Sequence, residues 1–170
     1  MGAGTWKWAM RAVFGACLFQ ALYYRDLLPE SVATHFDLSG QADGYSSRTG
    51  WFWFHVVLAG SFWIMFEVLG PFVRRLPDRW INLPNRDYWL APHRREQSLG
   101  FVDAELTRTG ALTLLFVFGV GQLVIDANLE AEGKLNNGWF LTLIGVYIVA
   151  MIHLCIRLFR RFPRGIEDRS

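Results

Sequence analysis

Charged side chains are scarce in this sequence, at 19% of residues against roughly 25% in soluble domains. The formal net charge of +2 is too small to indicate a surface for nucleic acid, so no nucleic-acid partner is expected. Hydrophobic residues instead make up 52% of the chain and aromatic residues 16%. This balance favours a membrane protein over a soluble domain.

Motifs for catalysis and metal binding are lacking as well. The sequence has no HExxH pair, no glycine-rich phosphate loop and no recognisable nucleophile with its base. Its two cysteines, Cys17 and Cys155, lie in apolar runs at no spacing typical of zinc or redox sites, so both are predicted to be reduced and buried. We therefore expect no enzymatic activity, no cofactor and no bound metal.

Four apolar stretches are long enough to cross a bilayer, whose hydrocarbon core of about 30 Å needs about 20 helical residues. The first is the weakest, because it contains Arg11 and Gln20. A soluble bundle would carry a polar face on each helix, and these stretches have none. The predicted fold is all-α: one membrane domain over residues 1–170, a four-helix bundle with an extracytoplasmic lid loop and a cytoplasmic interfacial loop. The predicted spans are residues 8–27, 51–73, 109–125 and 139–159.

Positive side chains are divided unevenly between the two sides of this bundle. Only Arg25, Arg48 and Lys134 fall on the side of the lid loop, out of 17 Lys and Arg residues. Because positively charged loops stay in the cytoplasm, both termini and the interfacial loop are predicted to be cytoplasmic. The residues on that side are Lys7, Arg11, Arg74, Arg75, Arg79, Arg86, Arg94, Arg95, Arg108, Arg157, Arg160, Arg161, Arg164 and Arg169.

The lid loop, LPESVATHFDLSGQADGYSSR, spans residues 28–48. Its VATHFDL segment alternates in character and predicts a short strand, with His35 and Asp37 on one face and Phe36 on the other. We expect a compact lid in which Phe36 and Tyr45 fold down onto the bundle.

The polar residues of the lid allow two interpretations. Gly40 and the Asp43–Gly44 pair are typical of turns. His35 with Asp37 and Asp43 resembles part of a cation site, but zinc usually takes three or four protein ligands. The simpler interpretation is that these side chains hold the loop together by hydrogen bonds, and the functional one is contact with a peptide or protein partner.

The interfacial loop mixes arginines with the aromatic residues that settle at membrane surfaces. Asn85 is placed to cap a short interfacial helix that carries Tyr88 and Trp89. The loop is a candidate surface for anionic lipid headgroups or a cytoplasmic partner, although simple anchoring explains most of its arginines. From Pro92 a helix is expected to continue directly into the third span.

Ionisable residues inside the predicted spans are a third candidate site, because charge in hydrocarbon is costly and normally faces the bundle interior. Arg11, Glu67 and His153 each lie about one to two turns from the cytoplasmic end, so they are able to meet in one layer. A structural ion pair and a proton or ion path both fit this pattern. A second, neutral layer would hold Gln20, His55 and Gln122.

Two segments resemble signatures of the SdpI-like immunity and signalling proteins, a membrane family whose shared N-terminal domain has no assigned activity. The first signature reads LPxxVPxHF(N/D)xxGxPDG(Y/W)x(S/T)(K/R), and Ala33 and Ala42 stand where many relatives have proline. The second reads N(I/L)PN(K/R)xYW. Matching residues are Leu28, Pro29, Val32, His35, Phe36, Asp37, Gly40, Asp43, Gly44, Tyr45, Ser47 and Arg48 in the first, and Asn82, Leu83, Pro84, Asn85, Arg86, Tyr88 and Trp89 in the second.

The resemblance implies a multi-pass protein of the bacterial cytoplasmic membrane that recognises a hydrophobic peptide, a toxin or a membrane protein partner. The best-known member confers immunity on cells that secrete a killing peptide, and it is longer, with additional spans. Two alternatives stay open. One is an accessory or assembly subunit of a larger membrane complex, and the other is a small proton- or ion-coupled transporter that uses Arg11, Glu67 and His153.

Overall fold

The computed structural model describes residues 3–130 and 133–163, and it is mostly helical. Two of the arginines counted above, Arg164 and Arg169, lie outside the described residues. The elements in chain order are α1 (Ala3–Tyr24), β1 (Ser31–Phe36), β2 (Ala42–Ser47), α2 (Arg48–Arg75), a 3₁₀ turn (Asp78–Trp80), α3 (Arg86–Trp89), α4 (Pro92–Leu129) and α5 (Asn137–Arg161).

Three helices, α2, α4 and α5, are long and apolar enough to cross a membrane. The helix α1 has 22 residues but is not among them. Its sequence includes Lys7, Arg11 and Gln20, which lower its apolar character. Three of the four predicted spans are thus supported by length and composition, and a crossing by α1 stays a prediction.

The helix α4 is the centre of the structure, and α1, α2 and α5 all pack against it. Contacts between α1 and α2 complete a three-helix unit, whereas α5 makes no comparable contact with either of them. Leu154 is the buried residue of α5, and Cys155 beside it is exposed. The prediction that both cysteines are buried is therefore wrong for Cys155, because α5 is covered on one side only.

Local sequence explains where the long helices begin. Ser47 precedes α2, and its Oγ accepts a hydrogen bond from the Gly50 N–H at 3.0 Å. Asn136 does the same for α5 through the Trp139 N–H at 3.1 Å. Pro92 opens α4, which runs unbroken for 38 residues, roughly 57 Å. The prediction that the third span continues a helix from Pro92 is confirmed.

The lid is an antiparallel hairpin of β1 and β2 rather than a loop with one strand. The strand β1 packs on α2 and α4, and both Val32 and Ala33 are buried. The predicted alternation fails because the pairing register shifts on either side of His35. Tyr45, expected to fold onto the bundle, is 64% exposed, since β2 is the outer strand and has no fully buried residue.

Candidate functional site beneath the hairpin

A single side chain of α4 holds the inner strand of the hairpin. The Oδ1 atom of Asn128 accepts a hydrogen bond from the Ala33 N–H at 2.7 Å, and its Nδ2 donates to the Ala33 carbonyl at 2.9 Å. The amide thus takes the place of a third strand at the edge of β1, where unmatched backbone groups would otherwise be costly.

The tip of the hairpin is fixed to the segment between α4 and α5. The Leu135 N–H donates to the Gly40 carbonyl at 2.9 Å, and Asn137 Nδ2 donates to the Leu38 carbonyl at 2.9 Å. Gly40 has a φ of +83°, and a Cβ there would lie 2.5 Å from the Leu135 oxygen, so position 40 requires glycine. The hairpin is therefore attached at its edge and at its tip.

Asp37 shapes that tip. Its Oδ1 accepts hydrogen bonds from the Ser39 hydroxyl at 2.7 Å, the Ser39 N–H at 2.8 Å and the Gln41 N–H at 2.9 Å. These hydrogen bonds lower the pKa of Asp37 below its ordinary value, and the bond from the Ser39 hydroxyl contributes most. The carboxylate therefore stays ionised and organises the turn, as the structural interpretation of the lid expected.

His35 Nδ1 and Asp43 Oδ1 are hydrogen-bonded to each other across the hairpin, and both side chains are exposed. Gly44 lies directly opposite, where a Cβ would come within 2.8 Å of the His35 Cβ. Asp37 is engaged in the turn and does not join this pair. Within residues 3–130 and 133–163, no group of three or more His, Cys, Asp or Glu side chains is placed to hold a metal.

Beneath β1 lies a cavity of about 460 Å³, within the range of ligand pockets. The hairpin covers it, α4 forms its base, and α5 with the segment before it forms one side. Phe36 is the large apolar side chain that β1 contributes, so this residue of the first signature does face the interior. The lining residues are Thr34, His35, Phe36, Asp37, Leu38, Val120, Leu123, Val124, Leu135, Asn137, Phe140 and Leu141.

A second cavity of about 180 Å³ adjoins the first and shares Thr34, Val120 and Val124 with it. It lies between α2 and α4, and the rest of its lining is Trp51, Phe54, His55, Leu58, Phe116, Val117 and Gly121. We call the two together the hairpin cleft. The cleft runs along α4 from α5 to α2 because α5 packs on α4 and leaves the adjoining face of α2 uncovered.

The neutral polar residues predicted to form a layer do converge next to the smaller cavity. Gln20 Nε2 donates to Gln122 Oε1 at 3.0 Å, and Gln122 Nε2 donates to Asp126 Oδ1 at 2.8 Å. His55 is buried and stacks on Trp51 with ring centroids 5.3 Å apart. The cluster joins α1, α2 and α4 at the hairpin end of the structure.

The charged layer is only partly as expected. Arg11 and Glu67 form an ion pair between α1 and α2. His153 is exposed on α5 and is not part of it. The structure thus brings together two of the three residues named for an ion path.

Two buried acids of α4, Asp103 and Glu105, were not singled out from the sequence. Glu105 accepts hydrogen bonds from Arg108 Nη1 at 2.8 Å and from Arg157 Nη2 of α5 at 3.0 Å. Asp103 lies 3.7 Å from Arg74 Nη2. A signal in the sequence could have identified them: they are two acids in a helix predicted to enter the membrane, and unpaired acids there would be costly. The arginines nearby are their natural partners.

The second signature packs against the end of α5. Asn85 precedes α3 as predicted, but its side chain makes no capping bond. Its φ is +49°, and its Nδ2 donates instead to the Pro163 carbonyl at 2.9 Å. Trp89 meets Phe162 edge to face, with ring centroids 5.4 Å apart. Tyr88 packs beside Trp89. Tyr88 and Pro84 are half-buried, whereas Asn82 is exposed.

The fold and the cleft define a membrane-type helical protein. Residues 12–60, which include most of α1, the whole hairpin and the start of α2, match the family described as Domain of unknown function (DUF1648). This match supports the presence of an uncharacterised domain shared by SdpI-like proteins, as the first signature indicated. No curated protein and no solved structure matches the chain.

Replacing Asn128 with leucine should loosen the hairpin, because the Ala33 N–H and carbonyl would lose their partners in a buried place. We expect a cost of about 2–4 kcal/mol, seen as faster hydrogen exchange over residues 31–47. Asn82→Leu, at an exposed asparagine, is the matched control and should leave that exchange unchanged. Equal exchange in both variants would contradict the proposed role of Asn128.

Proposed function

We propose that this chain is a non-catalytic membrane protein that recognises a hydrophobic peptide, or the membrane segment of a partner, in the hairpin cleft. The observation that carries the proposal is the cleft itself, whose larger cavity of about 460 Å³ is lined mainly by apolar residues of β1, α4 and α5. A few large side chains buried in well-packed pockets supply most of the binding energy of a typical interface.

The attachment of the hairpin supports the same proposal. Because Asn128 and Leu135 hold β1 and its tip in place, the cover of the cleft is formed before any ligand arrives. A preorganised site avoids part of the entropic cost of binding. The exposed His35–Asp43 pair, whose histidine also lines the larger cavity, is available for polar contacts with the same partner.

The proposal includes a location and an orientation. The arginine-rich segments around α3 and at the end of α5 would face the cytoplasm, with both termini, in the inner membrane of a bacterium. Exposed arginines there, such as Arg79 beside Trp80, suit contact with anionic lipid headgroups. The hairpin and the mouth of the cleft would then face outward, where a peptide from outside first meets the membrane, as immunity or signalling requires.

A variant that fills the cleft tests this function. Val120 lines both cavities, so Val120→Trp should occupy the space that a ligand needs. Cells that express the chain should tolerate a membrane-active hydrophobic peptide, and this variant should lower the tolerated concentration at least about tenfold, the effect of losing one strong anchor. Val149→Trp, on the exposed face of α5, is the control and should protect like the original chain.

Expression and membrane insertion of both variants should be compared by immunoblot of the membrane fraction. Equal protection by Val120→Trp and Val149→Trp would show that the cleft is not the recognition site. If the original chain protects against no member of a panel of hydrophobic peptides, the immunity function itself is wrong.

A further inference from the structure

We infer that the smaller cavity of the hairpin cleft binds an aromatic ring that carries a hydrogen-bonding group, supplied by a tyrosine or tryptophan side chain of the peptide. This inference rests on the proposed function and names the chemistry by which the cleft would select its ligand. It follows from the volume of the cavity, from its aromatic walls and from the unmatched polar atoms of His55 and Gln20.

The volume fits one ring. The cavity measures about 180 Å³, and an apolar cavity of about 150 Å³ is enough to bind benzene. Three aromatic side chains, Trp51, Phe54 and Phe116, stand in its wall. Rings packed edge to face or offset against such a wall gain interaction energy beyond the burial of their area.

The polar atoms of the site call for a hydrogen-bonding group on that ring. His55 lines the cavity and is 4% exposed, and its Nε2 has no hydrogen-bond partner among the described residues. Buried polar atoms of this kind are rare, since each costs free energy when it is left unmatched. A phenol hydroxyl can donate to or accept from an imidazole, and an indole N–H can donate to it.

Gln20 adds a second unmatched atom near His55. Gln20 is 2% exposed, and its Oε1 also has no hydrogen-bond partner in the described part of the chain. A Cβ built on Gly121 would lie 2.5 Å from His55 Cε1 and 2.8 Å from Gln20 Oε1, so both side chains converge on the one glycine of α4 that leaves them room. Next to the cavity, polar atoms from α1 and α2 therefore meet at one position of α4.

The surroundings favour an uncharged group over an ion. The polar side chains in the cavity wall are Thr34 and His55, apart from the indole of Trp51. The nearest acid of the cluster, Asp126, already accepts a hydrogen bond from Gln122 at 2.8 Å. A charged ligand would lose its hydration without gaining a counter-charge, whereas a phenol or an indole would not.

The connection to the larger cavity indicates a side chain rather than a small molecule by itself. The two cavities share Thr34, Val120 and Val124, so a ring in the smaller one leaves the rest of its molecule in the space under β1. A peptide with an apolar residue next to a tyrosine would occupy both. The same chemistry also exists in free membrane-dissolved phenols, which the experiment must separate from a peptide.

Fluorine NMR of the purified full chain in micelles tests the site directly, with 4-fluorophenol and fluorobenzene as probes. We expect saturable binding of both, with 4-fluorophenol about tenfold tighter through one hydrogen bond to the site. His55→Phe should abolish this preference but still bind fluorobenzene, which shows that the cavity persists. His55→Gln, which keeps a hydrogen-bonding side chain, should restore much of the preference, and His153→Phe on the exposed face of α5 is the control.

Equal affinity for the two probes, or an unchanged preference in His55→Phe, would overturn the inference. Blocked Leu-Leu-Tyr-Leu-Leu should displace 4-fluorophenol at lower concentration than its phenylalanine counterpart. If neither peptide displaces the probe, the site takes a free phenol and the assignment to a side chain is wrong. The proposed function fails separately, when Val120→Trp leaves protection intact although the original chain binds 4-fluorophenol.

Discussion

Gly70→Ala is expected to destabilise the chain by about 3–5 kcal/mol, the range found when a buried ion pair is broken. A Cβ on Gly70 of α2 would lie 1.8 Å from Asp103 Oδ1 and 2.8 Å from Asp103 Cγ, so the carboxylate must move. Asp103 is buried and has Lys7 Nζ at 3.9 Å and Arg74 Nη2 at 3.7 Å. Its displacement would separate it from both cations and force α2 away from α4.

The direction of the change in stability distinguishes the clash with Asp103 from the effect of helix propensity. Alanine is favoured over glycine inside a helix by about 1 kcal/mol, so without a clash the substitution should stabilise α2. A Cβ on Gly60 of the same helix would meet no neighbouring side chain or packed helix within 4 Å, which makes Gly60→Ala the matched control. Gly60→Ala should be neutral or slightly stabilising.

Unfolding of the purified variants by SDS in mixed micelles, followed by far-UV circular dichroism, would measure the difference. The Gly70→Ala variant should unfold at a clearly lower fraction of SDS than the original chain, and Gly60→Ala should not. A Gly70→Ala variant that is as stable as Gly60→Ala would show that Asp103 is not held against α2.

The sequence was sufficient to predict the long helices but not how each one is rotated. Apolar runs without a polar face mark membrane helices, and for the same reason they contain no signal for the side that faces a neighbour. Arg11, Glu67 and His153 were therefore predicted only to be able to meet in one layer, and it is the packing of α1 on α2 that pairs Glu67 with Arg11. His153 is exposed because α5 packs on α4 alone.

The hairpin shows the same limit at the level of strands. The alternation around His35 predicted β1, but the sequence of β2, ADGYSS, has too few β-branched or aromatic residues to predict a strand. That strand forms because β1 is held on α4 by Asn128 and offers it a pairing edge from residue 31 to residue 36. Long-range contacts of this kind leave no local pattern in a sequence.

The cleft itself was not predicted for a related reason. Phe36 and His55 were both singled out, yet as members of a lid and of a polar layer, and nothing in their spacing relates one to the other. They line adjoining cavities, which share Thr34 of β1 and Val120 and Val124 of α4. A cleft made by a strand and three helices is a property of their packing, which is why it emerges only in the folded chain.

Glu105→Gln is the second substitution with a large expected effect, about 3–5 kcal/mol, because it leaves Arg108 and Arg157 without their shared carboxylate. The side chain of Glu105 is only 7% exposed, so the pair is weakly screened by water or salt. Glu96→Gln on the same helix removes an acid that is 78% exposed, although it also pairs with an arginine. That control should cost no more than about 1 kcal/mol.

Arg157 is the group through which Glu105 holds α5, and a double-mutant cycle isolates this link. Glu105→Gln and Arg157→Gln should each be destabilising, and the double variant should be less destabilised than their sum by about 0.5–3 kcal/mol. The loss of α5 should also expose the α4 side of the hairpin cleft, so hydrogen exchange around Val120 should rise in Glu105→Gln and not in Glu96→Gln. Strictly additive effects would mean that the two side chains act independently, and that α5 is held on α4 by apolar contacts such as that of Tyr147 with Phe116.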